Sequence, residues 1–151
     1  MSDTDQKIQE QDNESTPVAP NAKTVLLVED DLTMIKMYST KLKMEGFAIE
    51  QAGDGEEGLN KAKTVKADLI ILDLMIPKLG GMELLARLKE EEKTKNIPVI
   101  ILSNLSQEQD IKKANELGVD HFLIKSNYTP SQVVKVVKSF FSGTPSNSSP
   151  A

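Results

Sequence analysis

The chain contains no cysteine. That excludes a disulfide framework, a thiolate metal site and a cysteine nucleophile. Histidine occurs once, at His121. A single imidazole cannot build a histidine metal cluster, and its place at the opening of an apolar run reads as a strand edge rather than a phosphohistidine donor. Long apolar runs are also missing. The runs are short, such as LIIL at 69–72 and VIIL at 99–102, against the ~18 residues of a transmembrane candidate. The start, MSDTDQKIQEQDNEST, has neither the basic nor the apolar segment of a secretory signal. No basic stripe points to nucleic acid, and no basic amphipathic stretch points to a membrane surface. The expectation is a cytoplasmic protein with no direct DNA binding and no membrane insertion.

What is present suits one domain. Of 151 residues, 38% are hydrophobic and 27% charged, enough apolar material for one core. The net charge of −5 is unevenly placed. Residues 1–21 hold Asp3, Asp5, Glu10, Asp12 and Glu14 against Lys7 alone. This stretch reads as a disordered acidic tail, and residues 142–151, SGTPSNSSPA, which carry no ionisable side chain, as a disordered Ser/Pro-rich one. The domain expected between them covers residues 22–141.

Within it two patterns alternate. Short apolar runs occur at TVLLV (24–28), FAIEQ (47–51), DLIIL (68–72), PVIIL (98–102) and HFLIK (121–125). Such runs suit strands of a parallel sheet covered on both faces. Helical stretches lie between them. Met34, Met37, Tyr38 and Leu42 form a stripe that Gly46 ends. Asp54 with Glu57, Ser106 with Gln109, and Thr129 with Pro130 and Gln132 are helix-start patterns. Gly118 follows the helix that Ser106 opens, and Gly80-Gly81 opens the helix of Leu84, Leu85 and Leu88. The order βαβαβαβαβα implies a doubly wound α/β fold with a five-stranded parallel sheet and five helices. Ligands of such sheets sit beyond the carboxyl ends of the strands.

Those ends carry unusual chemistry. The first run, LLVEDDLT at 26–33, stops in three consecutive carboxylates, Glu29, Asp30 and Asp31. Two like charges about 4 Å apart repel by about 4 kcal/mol at an effective dielectric of 20, so a cation among them is expected. Asp31 reads as the N-cap of the following helix. The third run ends in Asp73, the fourth in Ser103 and the fifth in Lys125. Asp30 and Asp73 make a hard oxygen site suited to Mg²⁺ or Mn²⁺, with Glu29 acting through a metal-held water. A phosphoryl group at Asp73 would meet the metal, the Ser103 hydroxyl and the Lys125 ammonium, which is the arrangement phosphoryl transfer needs. Asp73 is the natural nucleophile, because carboxylates form acyl phosphates.

The segments VLLVEDD, LIILDLMIPKLGGMELLARLK, IPVIILSN and HFLIK together resemble the response-regulator receiver domain of two-component signalling, over about residues 23–141. The resemblance implies a (βα)5 flavodoxin-like receiver fold in a stand-alone signalling phosphoacceptor, not an enzyme in the usual sense. It implies Asp73 as phosphoacceptor and Asp30 as direct metal ligand, with Glu29 in the outer shell and the Met75 backbone carbonyl as a further ligand. Ser103 and Lys125 contact the phosphoryl group, Phe122 takes the aromatic switch position, and Pro77, Gly80 and Gly81 match the loop after the acceptor. The implied partners are a histidine kinase or histidine phosphotransfer protein as donor and an output protein that the sequence does not name. The surface expected to respond is the fourth strand, fourth helix and fifth strand.

Departures from the family's pattern stand beside the matches. Ser126 follows Lys125 where the family usually has proline, so a trans bond or local strain is expected there, since a cis bond before a non-proline residue costs about 2.5–4 kcal/mol. Asn104 follows Ser103 where small residues are usual. Phe122 has no hydroxyl. Met75 and Leu105 are apolar at positions that tune phosphoryl lifetime and cannot orient an attacking water, which implies slow self-dephosphorylation. Two other readings remain open: a haloacid-dehalogenase-like phosphatase, for which EDDLT approximates the first motif with Glu29 as nucleophile, and a phosphorylation-independent scaffold. Met34, Met37 and Met44 read as helix filling rather than a soft-metal site, and Lys61, Lys63 and Lys66 as a solvated face.

Overall fold

The computed structural model describes residues 21–142. The two tails expected from the sequence lie outside these residues, apart from Asn21 and Ser142. The elements follow the expected order. They are β1 (Thr24–Val28), α1 (Leu32–Met44), β2 (Ala48–Ala52), α2 (Gly55–Thr64), β3 (Leu69–Leu72), α3 (Gly81–Glu90), β4 (Val99–Ser103), α4 (Glu108–Glu116), β5 (His121–Ile124), a 3₁₀ turn (Lys125–Asn127) and α5 (Pro130–Ser142).

All strand pairs are parallel, in the order β2-β1-β3-β4-β5. Alternation along each strand divides the core into two layers. Leu26, Val28, Ile70, Leu72, Val99 and Ile101 face α2, α3 and α4, where Leu59, Leu84, Leu85 and Leu88 cover them. Val25, Leu27, Leu69, Ile71, Ile100 and Leu102 face α1 and α5, packing on Tyr38, Leu42, Val133 and Val137. The central β3 is buried throughout. The expectation of strands covered on both faces fails at the edges: β2 exposes Gln51 and half-buries three of its other residues, and β5 buries only Leu123 fully. An edge strand has a neighbour on one side only, so helices shield it less.

Most helix signals act as read. Asp31 caps α1, accepting from the Thr33 and Met34 N–H groups at 2.9 and 3.2 Å. Asp54 caps α2 by accepting from Glu57 N, while Glu57 reaches back to Gly53 N. Thr129 and Gln132 form a full reciprocal box at the start of α5. Gly46 and Gly118 follow α1 and α4 at φ +96°, a conformation L side chains rarely adopt. Two expectations are corrected. Ser106 does not cap α4; the N-cap is Gln107, which makes no side-chain cap bond. The buried stripe of α1 is Ile35, Tyr38, Ser39 and Leu42, with Met34 and Met37 half-buried beside it. Methionine's flexible chain lets it cover a core margin that branched Ile35 fills from within.

Gly81 is where the fold presses on the acceptor loop. A Cβ there would lie 2.7 Å from the Asp73 carbonyl oxygen and against the backbone of Leu74. Backbone cannot yield as a flexible side chain does. Gly81→Ala is expected to cost about 1–3 kcal/mol or more, read as a lowered urea midpoint, and to displace the Asp73–Leu74 backbone, read as amide shifts confined to residues near 73–81.

Candidate functional site

Each chemically notable residue stands at the end of a strand because the ladder carries it there. Glu29 N donates to Ala52 O and Asp73 N to Val28 O, both at 3.0 Å, so the pairing of β1 with its two neighbours extends one residue into the acidic positions. Glu29 is 3% and Asp73 6% exposed, whereas Asp30 faces solvent. One carboxylate oxygen from each of Glu29, Asp30 and Asp73 lies within 4.8 Å of the others.

Lys125 enters from the end of β5. Its Nζ donates to Glu29 Oε1 at 2.8 Å and to Asp73 Oδ2 at 2.9 Å, with its side chain 12% exposed. The second oxygens are also satisfied: Asp31 N donates to Glu29 Oε2 at 3.1 Å and Met75 N to Asp73 Oδ1 at 2.9 Å. Burial pushes the Glu29 carboxyl above its ordinary range, and the nearby Asp73 charge pushes the same way against the pull of Lys125. Burial alone would lower Lys125, but its hydrogen bonds to Glu29 and Asp73 outweigh that and hold the ammonium more firmly protonated than usual. Tyr38 is 2% exposed, its phenol pushed up by burial, with the Lys125 charge pulling the other way.

Ser103 is fully buried, and its Oγ accepts from the Leu105 N–H at 3.2 Å. Phe122 is half-buried, opposite Ile101 in the β4–β5 register, and packs on the α2–α4 layer. Met75 is 59% exposed. No peptide among the described residues is cis, so Lys125–Ser126 is trans. The Ser126 N–H donates to Asn104 Oδ1 at 3.0 Å, a contact the sequence did not announce. His121 lies edge-on to Phe140, 5.6 Å between ring centres, away from the acidic cluster's strand ends. Pro77 lies in the loop between Asp73 and α3, Gly80 is the α3 N-cap and Gly81 is the first residue of that helix.

The donor set fits a divalent cation of hard character. Every candidate ligand is oxygen, and three carboxylates against one ammonium leave two negative charges uncompensated at one spot. Asp30 provides the solvent-facing side of that cluster.

The model of the response regulator receiver domain family matches residues 25–138. The chain belongs to this family. The receiver domain is 39% identical over 101 residues to the DNA-binding dual master transcriptional regulator RpaA of Synechocystis, covering 67% of this chain and 42% of that protein. It spans about half the length of the curated relatives it matches. Among solved structures it resembles the phosphorylated cyanobacterial phytochrome response regulator RcpA, at 30% identity and TM-score 0.72, covering 82% of this chain and 97% of that one. It also resembles the receiver of the CheX-CheY-BeF3-Mg complex of Borrelia burgdorferi, at 33% identity and TM-score 0.72, covering 79% and 89%. The sheet order of this receiver is the flavodoxin-like one, whose switch point falls between β1 and β3. Glu29, Asp30 and Asp73 stand at that point. No helix among the described residues is long and apolar enough to cross a membrane.

Proposed function

We propose that this receiver takes a phosphoryl group from a phosphohistidine donor onto Asp73 and thereby changes its affinity for a partner protein. The observation that carries the reading is the environment of Asp73. It is a nearly buried carboxylate at the end of the central strand, held on one oxygen by Met75 N and on the other by Lys125, beside two further carboxylates. A buried carboxylate needs a partner in any case; what supports the reading is that one ammonium, from a strand two places away in the sheet, serves a cluster of three carboxylates and leaves it negative.

In the transfer, an Asp73 oxygen forms a bond to phosphorus as the bond from phosphorus to the donor imidazole nitrogen breaks. The electron pair of that bond leaves on the imidazole. Lys125, already bonded to Asp73, stays within reach of the incoming phosphoryl oxygens and balances their charge. The Ser103 Oγ accepts from Leu105 N, and its own O–H is free to donate to one of them. Asp30, Asp73 and the Met75 carbonyl would hold a Mg²⁺ or Mn²⁺ ion, with Glu29 in its outer shell. When bound, such an ion neutralises the surplus negative charge and draws charge from the phosphoryl oxygens. The donor is a histidine kinase or a histidine phosphotransfer protein. The altered charge at Asp73 biases β4, α4 and β5, where Ser103 and Phe122 lie on neighbouring strands.

The test is incubation with acetyl phosphate followed by intact mass. With Mg²⁺ the protein is expected to gain one phosphoryl group, on the peptide containing Asp73, and with chelator to gain none. After the donor is removed, the label should persist for minutes or longer, because exposed Met75 and half-buried Leu105 offer no group to orient water. No gain in mass with Mg²⁺ would refute the transfer; loss within seconds would refute the slow lifetime.

A further inference from the structure

Backbone pairing between β4 and β5 ends at the rung that joins Ser103 to Ile124. Asn104 and Lys125 come next, and neither strand continues through them. One hydrogen bond nevertheless joins the two chains beyond that point, from the Ser126 N–H to Asn104 Oδ1 at 3.0 Å. It acts as an additional rung supplied by a side chain. On one strand its anchor is the neighbour of Ser103, and on the other the neighbour of Lys125. The donor exists because residue 126 is not proline, which has no N–H. The acceptor exists because residue 104 carries an amide. The two departures from the family's pattern thus satisfy each other.

We propose that Asn104 is a positioning residue for phosphoryl acceptance: its bond to the Ser126 N–H makes the Ser103 loop and the Lys125 loop move as one unit. The proposal rests on the reading of Asp73 as phosphoacceptor. Ser103 Oγ accepts from Leu105 N at 3.2 Å, which fixes the hydroxyl to the 103–105 turn and leaves its O–H able to donate, so where that turn sits decides where the hydroxyl is presented. The Lys125 side of the rung is anchored by two buried carboxylates. A loop tied to that anchor keeps the hydroxyl and the ammonium in a fixed relation to each other. Without the tie, both groups remain but their approach is uncorrelated. The bond's partners are both exposed, so losing it does not open the core.

The experiment times labelling by acetyl phosphate with Mg²⁺, over a range of donor concentrations, for wild type, Asn104→Ala, Asn104→Asp, Ser126→Ala, Ser126→Pro and the Asn104→Ala/Ser126→Pro double variant. Asn104→Ala and Ser126→Pro should each lower the limiting rate about three- to tenfold, the range set by one net hydrogen bond, with half-saturation unchanged. The double variant should be no slower than either single one, because both remove the same bond. Asn104→Asp keeps the acceptor and should recover most of the rate, and Ser126→Ala keeps the N–H and should track wild type. Equal rates for Asn104→Ala and wild type, multiplied losses in the double variant, or a Ser126→Ala loss matching Ser126→Pro would overturn the proposal. If wild type labels normally in those cases, only the positioning role falls. If wild type does not label, the phosphoacceptor reading falls and takes this one with it.

Discussion

Asp73→Ala is expected to leave the protein folded and wholly unlabelled. Under conditions in which wild type gains one phosphoryl group from acetyl phosphate with Mg²⁺, the variant's intact mass should not change. The expectation is sharp because no second carboxylate combines the same features. Glu29 is as buried as Asp73 and is likewise bonded on both oxygens, by Lys125 and by Asp31 N, but it follows β1 and not the central β3. Asp30 is exposed, and the ion pairs of Lys125 go to Glu29 and Asp73. Folding should survive, since Lys125 keeps Glu29 as partner and the apolar layers are untouched. The lost bonds to Lys125 and Met75 N are offset in part by the removal of repulsion from Glu29. Labelling of the variant at the wild-type level, on any residue, would refute the assignment of Asp73.

The second large effect is expected at Lys125. In Lys125→Met the apolar stem is kept and the ammonium is lost. Glu29 and Asp73 then face each other, nearly buried, with no positive group between them. Removing one partner of a buried ion pair typically costs about 3–5 kcal/mol. Urea unfolding in chelator should show a loss of that size. Added Mg²⁺ should restore much of it, because a cation bound only by the native state stabilises by mass action, and here it answers a charge that nothing else balances. Wild type should gain less from the same Mg²⁺. A variant within about 1 kcal/mol of wild type in chelator would show that the ammonium does not hold these strand ends together, since that is the net worth of one ordinary hydrogen bond.

The sequence was legible where a single strand or helix decides the outcome. A parallel sheet sends every strand end to one edge, so Glu29, Asp30, Asp73, Ser103 and Lys125 could be assigned to it from the spacing of the apolar runs alone. Asp31, Asp54 and Thr129 were readable as caps because a cap bond closes within about three residues. What could not be read is which groups meet across that edge. The pairing of Lys125 with Glu29 depends on two side chains whose strands are separated in the sheet by β3 and β4. The Asn104–Ser126 bond joins two positions that looked, one at a time, like departures from a pattern. Ser106 failed as a cap because a start motif marks a helix only to within a residue or two, and the chain takes Gln107 instead. The phase of α1 slipped because Ile35 and the methionines are equally apolar, and packing alone chooses between them.

The Lys125–Glu29 hydrogen bond links residues 96 positions apart. Its meaning for synthesis is direct. A growing chain that has formed β1 to β4 already brings Glu29 and Asp73 together, but the lysine that reconciles them is still to be made. Without β5, Glu29 and Asp73 stand at their strand ends with no ammonium bonded to either. A chain interrupted before residue 125 would carry Glu29 and Asp73 without the ammonium that bonds both.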